Sequence, residues 1–169
     1  ADDELVYAAK AGNSPATISP DGSVLLFTEG QDIFALPLTQ PKAEPRPYLA
    51  TPFSELRPKF SPDGKWVAYQ SNESGQNQIY LNSYPSPTAK RQVSINGGVQ
   101  PRWRRDGREL FFISPAGELM AAELSATLDV VHIQKLFDGM PTSGGIVWDV
   151  GPDGQKFIVV EQRVNSTNP

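Results

Sequence analysis

The sequence predicts an all-β protein, a β-propeller of four-stranded antiparallel blades. Three observations predict it. The tetrapeptide SPDG at 19–22 returns at 61–64, and the variants RRDG at 104–107 and GPDG at 151–154 continue the series, at spacings of 42, 43 and 47 residues. Short runs rich in aromatic and aliphatic residues flank each copy. Sixteen prolines and fourteen glycines in 169 residues leave little room for long helices, which disfavours a helical repeat of the same period.

Each repeat opens on a strand that leads into the Asp-Gly pair: SPATIS, LRPKFS, VQPRWR and IVWDVG. The pair itself is hairpin chemistry. Proline presets φ, aspartate bonds back to the backbone, and glycine takes the positive φ of a tight turn. Asp21, Gly22, Asp63, Gly64, Asp106, Gly107, Asp153 and Gly154 are therefore read as structural turns, although Arg105 replaces proline in the third. The second strand follows, with Leu25, Val67, Leu110 and Phe157 three residues after glycine and Phe27, Tyr69, Phe112 and Val159 five after. A third strand is expected at 32–38, 78–84 and 118–124, and a weaker fourth at 46–50, 91–95 and 133–137. The blades then span 14–50, 54–95 and 97–137, with a partial blade at 146–161 and an N-terminal strand at 4–9 that resembles the last strand of a preceding blade. All of it, 1–169, reads as one partial propeller domain. Unpaired edge strands invite a second chain, so a homodimer through the open edges is one expected solution.

On the inner strands, Ile18, Phe60, Trp103 and Val150 share a register and are expected to pack between blades. Thr17, Lys59, Arg102 and Asp149 alternate with them and are expected to face neighbours or solvent. The cluster RWRRDGR places Arg102, Arg104, Arg105 and Arg108 beside Trp103, a candidate surface for an anion or an acidic partner as well as an ordinary solvated rim.

No catalytic or cofactor site is expected. Four aspartates in register could suggest cation sites, but a calcium loop needs several closely spaced oxygen ligands and each turn supplies one. His132 is the only histidine and cysteine is absent, so neither a typical zinc site nor a disulfide can form. GNSPA at 12–16 lacks the final glycine of a nucleophile elbow, and Pro15 stands where a helix would start, which rejects Ser14 as a nucleophile. GPDGQK is a hairpin and not a phosphate loop. A net charge of −4 argues against nucleic acid, and no apolar run of about 18 residues predicts a membrane span. The acidic start ADDELVYAAK does not read as a secretory signal. The polar loops NESGQNQ (72–78) and SINGGVQ (94–100) lie at blade ends, where ligands often bind, and read first as plain hairpin and inter-blade connections; the looser PTSGG (141–145) leads into Trp148 on the next inner strand.

The stretch FSPDGKWVAYQSNESGQNQIYL resembles the bacterial TolB-type propeller repeat, a relative of the WD-repeat propellers. The stretches LATPFSELRPKFSPDGKWVAYQSNESG and VSINGGVQPRWRRDGRELFFISPAGELMAAEL resemble the C-terminal propeller that follows the membrane segment of bacterial receptor-type serine/threonine protein kinases. The resemblance covers about residues 14–160. It implies a non-catalytic sensor or interaction region binding a protein or small ligand, within a larger signalling polypeptide and on the extracytoplasmic side; other proteins with these repeats are cytoplasmic. TolB-type propellers have six or more blades, so this chain departs from the family in number. The alternative is the accessory propeller of a prolyl-oligopeptidase-type peptidase, whose hydrolase domain would lie outside the chain. A free-standing enzyme of the lactonase or sialidase kind would need clustered carboxylates, histidine or a metal near the axis, which the sequence does not show.

Overall fold

Fourteen strands and no helix make up the described part of the chain, with every ladder antiparallel. The computed structural model describes Tyr7 and residues 14–141 and 147–160; for 14–16 and 147 only the backbone is described. The first sheet contains β1 (Ser14–Ile18), β2 (Val24–Glu29), β3 (Asp32–Pro37) and β4 (Arg46–Leu49). The second contains β5 (Glu55–Phe60), β6 (Trp66–Ser71), β7 (Gln78–Ser83) and β8 (Arg91–Gln92). The third contains β9 (Val99–Trp103), β10 (Glu109–Ile113), β11 (Glu118–Leu124) and β12 (Val130–Asp138). A two-stranded sheet of β13 (Val147–Val150) and β14 (Phe157–Val160) follows. Each four-stranded sheet is a simple meander in chain order. The edge strands β5, β9 and β13 approach one another in sequence, and β1 approaches β5, so the first strands form the inner wall.

The period of two in each strand divides its side chains between two neighbouring sheets. Val67 and Tyr69 face the first sheet, where they join Leu26, Ile33 and Tyr48 in one buried cluster. Ala68, between them, faces the third sheet and meets Leu110, Phe112 and Ala122. Leu110 and Phe112 face back in this way, while Phe111 and Ile113 face forward to Trp148. Three apolar cores therefore lie between sheets, and each sheet supplies half of a core to each neighbour. A lone sheet would expose both faces, so stability is a property of neighbouring pairs.

The fourth strands vary. β8 has two residues, while β12 has nine and pairs along the whole of β11. Of the N-terminal strand expected at 4–9, only Tyr7 lies within the described residues, with its ring 5.5 Å from that of Phe27. Ile18 corrects the expectation of inter-blade packing, because it is 56% exposed. Its counterparts Phe60 and Val150 pack against the preceding sheet, and no described sheet precedes β1. Trp103 packs between blades as expected, less deeply than Phe60. It is only partly buried, at the edge of the cluster between the second and third sheets, where its Nε1 donates to the Lys59 carbonyl at 3.1 Å.

Candidate functional site

The four Asp-Gly turns are built alike. In each, the glycine N–H donates to a carbonyl three residues back, from Gly22 to Ser19, Gly64 to Ser61, Gly107 to Arg104 and Gly154 to Gly151, at 2.8–3.0 Å. In each, an aspartate Oδ1 accepts the N–H two residues on, at 3.0–3.1 Å. In the first two, Ser19 and Ser61 also donate to their aspartates at 2.6 Å. In the third, Arg104 takes that place, with Nε and NH2 on Asp106 at 2.8 Å and NH1 on Glu109 at 2.7 Å. These bonds to the charged form hold the carboxyls of Asp21 and Asp106 down to about 2. The aspartates are thus occupied by their own turns, and no group of three or more metal-ligating side chains occurs among the described residues.

The four arginines of RWRRDGR part company. Arg104 is committed to its turn and lies against Gly154 of the next one, where a Cβ would stand 2.7 Å from its Cδ. Arg105 and Arg108 are exposed on the turn. Arg102 alone points to the inner wall. Its guanidinium lies 5.3 Å from the centre of the Trp148 ring, its NH1 donates to the Pro101 carbonyl at 2.9 Å, and its Nε is 3.8 Å from Asp149 Oδ1.

Breaks in the inner ladders of the three four-stranded sheets prepare this place, while the β13–β14 ladder that carries Asp149 is regular. Register slips between Pro15 and Thr17, between Leu56 and Lys59, and opposite Phe111 to Ile113 on β9. Proline lacks a ladder N–H and disfavours the right-handed conformation in the residue before it. At two of these breaks Arg57 and Gln100, each followed by proline, adopt φ of 59° and 56°, left-handed in place of the extended backbone that a following proline favours. Such bulges turn side chains out of the ladder's alternation. Arg57 is exposed, Lys59 and Arg102 are partly buried, and all three lie within electrostatic reach of one another. Burial, then Arg102, pulls the Lys59 ammonium down to about 8; Arg57 adds to the repulsion and Asp149 opposes it. Asp149 remains 79% exposed, so the place opens to solvent.

The sequence singled out Arg102 as a candidate binding residue but not Lys59, Asp149 or Arg57. Register was the signal: Thr17, Lys59, Arg102 and Asp149 each stand four residues before a turn aspartate, and Arg57 stands six before. At the blade ends, the NESGQNQ and SINGGVQ loops are tied together by Gln78, whose Oε1 accepts from Ser94 Oγ at 2.5 Å and from the Gly97 N–H at 2.9 Å. Most of PTSGG lies outside the described residues. A groove of about 670 Å³ opens at the turn end between the second and third sheets, with Trp66, Trp103, Leu124 and Leu128 on its walls. His132 is exposed on β12, and Ser14 begins β1.

Among solved structures, TolB from Acinetobacter baumannii matches with a TM-score of 0.66 at 19% identity, over 91% of this chain and 39% of that one. A protein from Agrobacterium tumefaciens assigned as TolB matches with a TM-score of 0.64 at 17% identity, over 77% of this chain and 50% of its own. The fold is a TolB-like β-propeller. A protein from Bacteroides uniformis provisionally assigned as a 6-phosphogluconolactonase shares the architecture, with a TM-score of 0.58 at 16% identity, over 87% of this chain and 47% of that one. The chain thus spans half or less of the length of these propellers. No family model matches it. No curated protein matches it.

Proposed function

We propose that this propeller is a non-catalytic binding module, the recognition part of a larger bacterial polypeptide such as a receptor-type serine/threonine kinase, working on the extracytoplasmic side. One observation carries the binding role. Lys59, Arg102 and Asp149, with Arg57 beside them, come from three successive sheets to one solvent-open place on the inner wall. Side chains from separate sheets converge there only because the sheets are arranged around an axis, and a rigid scaffold that gathers polar groups at one open place can present them to a ligand. The kinase context rests on the resemblance of the repeats alone. No helix among the described residues is long and apolar enough to cross a membrane.

Two measurements test the module. A photo-crosslinking residue at Arg57, on the inner wall, should capture a partner in cells, while the same residue at His132, exposed on β12, should not. Equal capture from both positions would sink the assignment of recognition to the inner wall. A turnover screen with lactone, ester and peptide substrates should give no rate that depends on Lys59 or Arg102. An activity abolished by Lys59→Gln would overturn the non-catalytic reading.

A further inference from the structure

We infer that Arg57, Lys59 and Arg102, with Asp149 as a loose internal counter-ion, form a receptor for an anionic group, a carboxylate or a phosphate, carried by the ligand. This deepens the binding role proposed above and rests on it. Among the described residues, three cations and one carboxylate act on one another here, in a chain whose net charge is −4. Attraction of an anion therefore has a local origin and does not come from the protein's overall field.

Arg102 is preorganised. Only 18% of its side chain is exposed, and the Trp148 ring and the Pro101 carbonyl hold the guanidinium in position. Asp149 is not comparably held against it. At 3.8 Å the contact is longer than a hydrogen bond, and Asp149 is largely in solvent. An incoming carboxylate or phosphate can reach Arg102 from the side on which Asp149 now lies. Lys59 is partly buried and lies within the field of both arginines, so an added anion lowers the local repulsion. The Trp148 ring beneath Arg102 is 2% exposed, and its Nε1 is buried without a hydrogen-bond partner.

The inference is tested by calorimetric titration of the intact protein with citrate and with pyrophosphate at low ionic strength. At least one should bind. Lys59→Gln and Arg102→Gln should each weaken it by roughly ten-fold, and Asp149→Asn should tighten it several-fold by removing the competing charge. A preference for citrate assigns the ligand group as a carboxylate, and a preference for pyrophosphate as a phosphate. Binding that is the same in all variants, or no binding of either anion, would overturn the inference. The gain expected from Asp149→Asn cannot come from misfolding, so it decides the matter even if Arg102→Gln fails to fold. Failure here is separable from failure of the binding role. Partner capture at Arg57 that survives Lys59→Gln would leave the module a binder without an anion receptor.

Discussion

At the turn end of the four sheets, Asp21, Asp63, Asp106 and Asp153 make the same bond to the backbone two residues on. Four residues earlier, Thr17, Lys59, Arg102 and Asp149 share a register and no chemistry. The two regions obey different constraints. A hairpin needs a donor satisfied and one residue at positive φ, and few side chains meet that need. The inner position sets no such requirement on its side chain, which can serve something else. The turns therefore repeat, while the inner wall differs from sheet to sheet. The contrast predicts opposite signs: substitution in a turn lowers stability, and substitution of a crowded inner cation raises it.

The largest expected effects set the scale. Gly154→Ala should cost about 3 kcal/mol, the sum of a left-handed backbone forced on alanine and the overlap with Arg104 Cδ. Gly22→Ala, with φ of 75° and open space around it, should cost only about 1 kcal/mol. Urea denaturation of both variants checks the difference, and equal losses would mean that Arg104 yields freely. Trp103→Ala should cost about 2–3 kcal/mol, less than a fully buried tryptophan, because one side of the ring faces the turn-end groove. A loss below about 1 kcal/mol would place that ring outside the inter-sheet core.

Lys59→Met sharpens the comparison from the other side. Burial above all holds Lys59 near 8 in the folded state against an ordinary 10.5, with Arg102 and Arg57 also opposing its charge and Asp149 favouring it. The unfolded chain binds the proton more tightly, so the charge costs stability below about pH 8 and the cost disappears as pH rises toward 10.5. Lys59→Met should accordingly stabilise the protein at pH 7 by on the order of 1 kcal/mol after solvent screening, and by much less at pH 10. Denaturation curves at the two pH values decide it; a loss at pH 7 would make Lys59 a structural residue. The smallest effect belongs to Asp21→Asn. Because the folded carboxyl titrates near 2 and its ordinary value is 3.8, its stabilising contribution is present above about pH 4 and is lost as pH falls toward 2. The variant should melt slightly below the parent at pH 7 and together with it at pH 2.

The amino-acid sequence by itself determined the strands, the turns and their period. Proline, aspartate and glycine act on their own backbone, and alternation of apolar residues marks which side of each strand is buried. Phe60 and Tyr69 were legible as inter-sheet residues for that reason, and both lie in the cluster between the first two sheets. Tertiary structure decided the rest, because burial and charge environment depend on neighbours distant in the chain. Ile18 has the pattern of a core residue and is exposed, while Phe60 in the same register is buried against the first sheet. Arg102 and Arg104 are two residues apart, yet one reaches Asp149 on the next sheet and the other closes its own turn. Register aligns Lys59, Arg102 and Asp149 in the sequence, but nothing local announces that they converge in space with Arg57. Residues 57 and 149 meet one field only when three sheets stand side by side, since electrostatic coupling follows distance in space and not along the chain.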